Sequence, residues 1–389
     1  MKTNLAPRSG VSPVTTTGSR PSGLRFEVLD AARGIGAILV IVGHYHGTLW
    51  PDRGGFITQS SGYLVVDVFF LLSGFVLAHA FFDKPGFNYW EFTKKRIFRL
   101  WPLHMVTLGV YVLLMLLAGD PISEKGLLLN ILLLHNVGMG HWPMIGFNYP
   151  SWSLSVELVS NLVVGLIVLA IPSRRWNTLA LAGMSLASVT LIVLTVENLD
   201  LHTRNVLGFV NTGLLRCFIT FPLGILTYRL FMARRSWFEQ ASPVYTVLVG
   251  LLIAIFFVTL CIPGRALTDL LYIPLYVLVI MVLASPGPFW TRYLSQFRFL
   301  GSISFSVYLV HAPILKFMEE VRFWPEDYAT GLVIAIGLSL LLGTATHYGF
   351  ERPSYDWLTR HWSKQVRKNI PADGSPVIAC KKAKQARSA

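Results

Sequence analysis

Charge is what this sequence has least of. Only 14% of its 389 residues are Asp, Glu, Lys or Arg, against roughly 25% in an average soluble domain. With 53% hydrophobic residues and a mean hydropathy of +0.55, that scarcity excludes an ordinary soluble globular protein. Cysteine is nearly absent as well. Cys217, Cys261 and Cys380 have neither the spacing of a metal site nor that of a disulfide framework. No repeat of fixed period is present, nor an inverted pair of broken helices, which disfavours a transporter. Residues 1–24 are rich in Ser, Thr, Gly and Pro and lack the apolar core of a signal peptide, so they read as an uncleaved, disordered cytoplasmic leader.

What is present is a succession of apolar stretches. Ten are long enough to cross a hydrocarbon layer of about 30 Å: near 32–49, 63–82, 100–118, 152–171, 178–196, 208–231, 244–262, 269–284, 301–318 and 330–350. An eleventh, 127–136, is too short to span and reads as a re-entrant or interfacial piece. The fold class is therefore all-α, a polytopic membrane helix bundle of about ten helices over residues 25–360. Lys and Arg orient it, because cytoplasmic loops retain positive charge. With the N-terminus inside, 26 of the 33 fall on cytoplasmic segments and five on external loops, so both termini are expected in the cytoplasm. The net charge of +13 then follows from topology and calls for no nucleic acid. Residues 361–389 form a basic, polar tail, expected to be disordered beside anionic headgroups. The expected location is the cytoplasmic (inner) membrane, multi-pass.

Arg33 and His44 lie eleven positions apart on the first stretch. At about 100° and 1.5 Å per residue they share one helix face, separated by roughly 16 Å along it. A cation sits at one membrane edge and an imidazole more than halfway across. Reading each later span in its assigned direction puts Asp67, Glu157, Tyr308 and His311 in the same outer slab as His44, and ionisable groups at such depth mark functional sites by default. Each also has a structural reading: His311 as a satisfied core residue, Asp67 and Glu157 as ion-pair partners of Arg216, Ser73, Gly74, Gly43 and Gly47 as small residues for helix approach, Trp142, Trp152 and Trp324 as interface anchors. His46, His135 and His141 lie near or in external loops and lack metal-ligand spacing, so no metal is expected. On the other side, Arg96 and Arg99 fall at i and i+3 at the inner end of the third span. With Arg33, and Lys95 beside them, they make a basic mouth suited to phosphate, or serve as positive-inside anchors.

These pieces, RFEVLDAARGIGAILVIVGHY, YLVVDVFFLLSGFVLA, KRIFRLWPLH, PSWSLSVELVSN, RCFITFPLGIL, LGSISFSVYLVHAPIL and the ERP at 351–353, occur in order on ten spans. In that combination the chain resembles the membrane-bound acyltransferase 3 family over roughly residues 25–356, in a form without the hydrolase-like domain that one branch carries after the spans. The resemblance implies acylation, commonly acetylation, of hydroxyls on glycans, lipids or small molecules. It places the family's functional His and Arg on His44 and Arg33 and its paired arginines on Arg96 and Arg99.

The expected reaction is O-acyl transfer from acyl-CoA, acetyl-CoA being the commoner expectation, to a saccharide or lipid-linked acceptor, with glycan-assembly proteins as further partners. The CoA phosphates would lie on Arg33, Arg96 and Arg99, and the pantetheine arm would thread toward His44. His44 acts as general base or is itself acylated. Asp67 or Glu157 would orient it, and Tyr308 or His311 would donate to the oxyanion. The rival reading is a transporter or exporter of a small anion.

Overall fold

In the computed structural model the described residues are 26–50, 61–139, 146–196, 199, 204–206, 208, 210–238, 243–262, 266–285, 291–323 and 327–368. The leader, the tail beyond Lys368, Cys380, His141, Trp142 and Trp324 lie outside them. Their chain order is α1 Glu27–Leu49, α2 Val65–Leu77, α3 Tyr89–Ala118, α4 Glu124–Ile131, α5 Trp152–Ala170, α6 Arg174–Thr195, α7 Thr212–Ala233, the short α8 Arg235–Phe238, α9 Pro243–Leu260, α10 Ala266–Leu283, the short α11 Thr291–Leu294, α12 Arg298–Glu320, α13 Tyr328–Thr346 and α14 Arg352–Lys368. Two residues of β1 (Asn205–Val206) pair antiparallel with β2 (Val210–Asn211) at the entrance to α7. Among the described residues eight helical segments are long and apolar enough to cross a membrane, and two shorter apolar helices, Thr246–Leu260 and Thr268–Leu283, accompany them. The molecule is a membrane helix bundle.

Four helices make its centre. α1 packs along α12 and α2 along α7, with α6, α13 and α3 against their outer sides. Small residues set the closest crossing: a Cβ on Gly74 of α2 would meet the Phe221 carbonyl of α7, and one on Gly224 would meet that of Leu71. Gly43 and Gly47, expected to serve the same purpose, have open space where their Cβ atoms would be.

One departure from the expected boundaries and one re-entrant segment shape the site. α3 begins at Tyr89, eleven residues before the expected 100, because Asn88 caps it by accepting the Glu91 N–H at 2.9 Å. Arg96 and Arg99 consequently lie two helical turns and more inside the helix, not at its mouth. The run at 127–136 has the re-entrant form expected of it. α4, eight residues long and capped by Ser123, is too short to span. The chain after it dips into the bundle, where Asn136 N–H donates to Ser155 Oγ and that hydroxyl donates to the Leu133 carbonyl. Phe147 and Asn148 are buried too, so α5 starts from within the bundle. At the C-terminal end, α13 passes through a π-helical turn, His347–Glu351, directly into α14, which runs to Lys368, beyond the expected limit at 360.

Candidate active site

The eight anticipated residues divide into three groups. Arg33, Arg96, Arg99, Glu157 and Tyr308 line one cavity of about 180 Å³, together with Ser73, Phe69 and Ser153. Arg33 comes from the first turns of α1 and keeps Asp30 one turn below it at 3.3 Å. Arg96 Nη2 donates to Glu157 Oε1 at 2.6 Å, and Ser73 Oγ donates to the same oxygen at 2.7 Å. Arg99 Nη1 donates to Glu351, its guanidinium lying over the Phe305 ring at 5.2 Å. Three guanidinium groups around one concavity make an anion site. Glu157 belongs to this group for a geometric reason: Tyr149, eight residues earlier, already stands edge-on to His44 at 4.9 Å between ring centroids. The 3₁₀ turn Tyr149–Ser151 and the first turn and a half of α5 then carry Glu157 about 12 Å toward the arginines.

The second group is a pair of imidazoles. His44 Nδ1 and His311 Nε2 are 2.8 Å apart, and the rings lie nearly parallel, 9° between planes, with centroids 5.1 Å apart. Helix α1 presents His44 eleven residues beyond Arg33, and α12, packed along α1, presents His311. At 2.8 Å one of the two nitrogens carries the shared proton and the other accepts it. Tyr308, one turn before His311 on α12, stands between this pair and the cavity: its ring centroid is 5.8 Å from that of His311 and 6.2 Å from that of Phe69. Its hydroxyl donates to the Pro150 carbonyl at 3.0 Å and meets Ser153 Oγ at 2.9 Å. Cavity, tyrosine and histidine pair thus follow one another along α1 and α12.

Asp67 is the third group by itself. Arg216 of α7 grips it through Nε, at 3.2 and 3.3 Å, and through Nη2 at 2.5 Å. The same guanidinium donates to the Leu199 and Tyr63 carbonyls and is sandwiched by the Tyr63 and Trp152 rings, each 5.4 Å away. The geometry therefore differs from the expected carboxylate on His44: the imidazole meets another imidazole, Asp67 meets Arg216, and Glu157 meets Arg96. Trp152, expected as an interface anchor, is buried in the Arg216 site. His46 and His135, expected near loops, are buried as well. Among the described residues no group of three His, Cys, Asp or Glu is arranged to hold a metal.

Sequence reasoning passed over Ser73 as a packing residue and His347 entirely, and it met Glu351 only within the ERP at 351–353, with no role attached. Glu351, 3% exposed, also accepts Ser306 Oγ at 2.5 Å and His347 Nδ1 at 2.9 Å.

Comparison with known proteins gives a consistent result. The acyltransferase-domain family matches residues 26–359. The chain is 27% identical over 344 residues to "Acyltransferase MdmB" of Streptomyces mycarofaciens, covering 82% of this chain and 87% of that one. To "Putative membrane-bound transacylase BcsY" of Komagataeibacter xylinus it is 25% identical over 347 residues, covering 85% and 83%. "Protein 2 in picA locus" of Rhizobium radiobacter is 41% identical over 93 residues, 22% of this chain and 44% of that one. No solved structure matches. A helix bundle with an arginine-lined cavity and, beyond Tyr308, a histidine pair is thus carried on a chain matched from end to end of its membrane portion, and the protein belongs to the membrane acyltransferase family.

Proposed function

We propose that the protein transfers an acyl group, acetyl in the first instance, from acyl-CoA to a hydroxyl of a saccharide or lipid-linked saccharide, with His44 as general base. The observation that carries this reading is that one helix, α1, places Arg33 in the three-arginine cavity and, eleven residues on, His44 against His311. The Lys and Arg bias puts the arginine end in the cytoplasm, where acyl-CoA is made. Its phosphates would be held by the guanidinium forks of Arg33, Arg96 and Arg99. The pantetheine arm would occupy the cavity and pass Tyr308, reaching His44 over a distance comparable to the ~16 Å rise from Arg33.

His311 takes the part that a carboxylate plays in hydrolase triads. With the proton on His44 Nδ1 donated to His311 Nε2, the lone pair of His44 Nε2 is left to accept the acceptor's hydroxyl proton. The alkoxide oxygen then attacks the thioester carbonyl, the C–S bond breaks, and CoA leaves as the thiol after the imidazolium returns the proton. His44 keeps its base function through tautomer control, and His311 shares the developing positive charge. Acylation of His44 itself is the second route to the same products. Tyr308, its proton engaged by the Pro150 carbonyl, is assigned to shaping the passage. Asp67 is assigned to holding α2 against α7 through Arg216. Family membership and relatives named as acyltransferases favour this reading over transport of a small anion.

The test is mass spectrometry of envelope glycans and lipids from matched cells making either the intact protein or His44→Ala at equal membrane abundance. A gain of one acyl mass only with the intact protein is expected. Removing a general base costs roughly 10²–10⁴-fold, so the acylated species falls to background in the variant. An unchanged acylated product in His44→Ala cells would overturn the base assignment.

A further inference from the structure

All three arginines in the cavity carry a carboxylate partner, and those of Arg96 and Arg99 differ in kind. Glu157, paired with Arg96, itself lines the cavity, and its side chain is 18% exposed. Glu351, paired with Arg99, does not line the cavity: its side chain is 2% exposed, while that of Arg99 is 32% exposed. Glu351 is therefore behind Arg99, on the far side from any ligand. It receives three donors there, Arg99 Nη1, Ser306 Oγ of α12 and His347 Nδ1 of its own π-helical turn. The turn matters because a π-turn shifts the side-chain register within a helix and is commonly retained where a site requires it. Within this turn His347 and Glu351, four residues apart, share one hydrogen bond, and the other carboxylate oxygen meets Arg99 of α3. Phe305 completes the bracket by lying under the guanidinium.

We propose that Glu351 is a positioning residue: it fixes the Arg99 guanidinium in the cavity so that the remaining N–H donors face the phosphates of the donor, while Ser306 and His347 hold Glu351 in place. This rests on the acyl-CoA reading above and adds to it the group that orients the phosphate site from behind. The inference has a chemical basis in saturation. A carboxylate that already holds three donors in a buried position keeps Arg99 when a phosphate arrives, whereas Glu157, open to the cavity with Arg96 and Ser73, is the one a phosphate competes with. In Glu351→Gln the shape is preserved, but the carboxylate charge is lost: an amide oxygen facing Arg99 accepts a weaker hydrogen bond, and an amide NH₂ facing it meets a donor-only guanidinium, so Arg99 is held less firmly.

The experiment measures CoA binding to the full-length protein in lipid nanodiscs, with thermal unfolding alongside, for the intact protein, Glu351→Gln, Glu351→Asp, Arg99→Ala and the double variant Arg99→Ala/Glu351→Gln. CoA itself is the probe, so no acceptor is needed. Glu351→Gln is expected to weaken CoA roughly tenfold, the scale of one charge-assisted hydrogen bond. Glu351→Asp is expected to recover part of that, and the double variant is expected to bind no worse than Arg99→Ala alone. A purely structural Glu351 would instead lower the unfolding temperature of both backgrounds and add its effect to that of Arg99→Ala, which would overturn the proposal. If Glu351→Gln fails to fold, Ser306→Ala gives the same comparison against Arg99→Ala from the other donor. Intact protein that binds CoA, with Glu351→Gln binding it equally, overturns this inference alone. Intact protein that does not bind CoA overturns the donor reading, and the assignment of Glu351 falls with it.

Discussion

Arg216 with Asp67 and Arg96 with Glu157 are the same chemical pair at two places in one bundle, and they are built to opposite ends. Arg216 is 1% exposed at its side chain, and its guanidinium is used up by both oxygens of Asp67, two backbone carbonyls and two aromatic faces. Nothing is left over for a ligand. Arg96 gives one N–H to Glu157 and otherwise fronts a cavity with Arg33 and Arg99 around it. An arginine in a membrane segment is costly unless partnered, and both are partnered. The number of donors still unspent, and the open volume in front of them, separates a sealed pair between helices from one that fronts a cavity and is proposed to receive substrate.

The strongest way to break the comparison is to remove each arginine. Arg216→Ala leaves the buried Asp67 without its guanidinium partner, and removing one partner of a buried pair costs about 3–5 kcal/mol. The expected outcome is loss of folded protein from the membrane, read as monodisperse yield in detergent. The double variant Arg216→Met/Asp67→Leu, which removes both charges, is expected to regain much of that yield. Normal folding of Arg216→Ala would show that the sealed pair is not structural.

Arg96→Ala is expected to act elsewhere. Glu157 keeps Ser73 and faces an open cavity that water can fill, so the variant is expected to fold, with an unfolding midpoint within a few degrees of the parent. CoA affinity is expected to fall by roughly 10- to 100-fold, the range for a lost hydrogen bond between charged groups. A variant that loses stability but not affinity would place Arg96 with Arg216.

Much of this was legible in the sequence, and the limits have physical causes. The relation of Arg33 to His44 is set by one helix, so a spacing of eleven is enough to read it. The pairing of Arg96 and Arg99 was legible for the same reason. His44 and His311 are 267 residues apart, and depth along separate helices gave only a common slab, with no indication of which side chains face one another. Glu157 was expected in the slab of His44, and the structure brings it to Arg96 and Ser73 instead; the segment before α5 is itself buried, with Asn136 bonded to Ser155, which no hydropathy pattern discloses. Glu351 escaped because its role depends on a π-turn, which shifts register by one residue and has no signature in an apolar run.

Lys95 supplies the smallest and sharpest test. It adjoins Arg96 in sequence and was expected to join the basic mouth, yet one residue along a helix is a turn of about 100°, which points it away. Its ammonium pairs with Glu91 at 2.6 Å, one turn back on the same helix, and both side chains are more than a third exposed. It does not line the cavity. An exposed i, i+4 pair is worth about 0.3–0.5 kcal/mol, so Lys95→Ala is expected to leave CoA affinity within twofold of the parent and thermal stability nearly unchanged. Since Lys95→Ala and Arg96→Ala each remove one positive charge from neighbouring positions, a general attraction of the basic end for phosphate would weaken CoA in both. A loss confined to Arg96→Ala would locate the affinity in the guanidinium forks of the cavity, and an equal loss in the two would replace that site with a diffuse field.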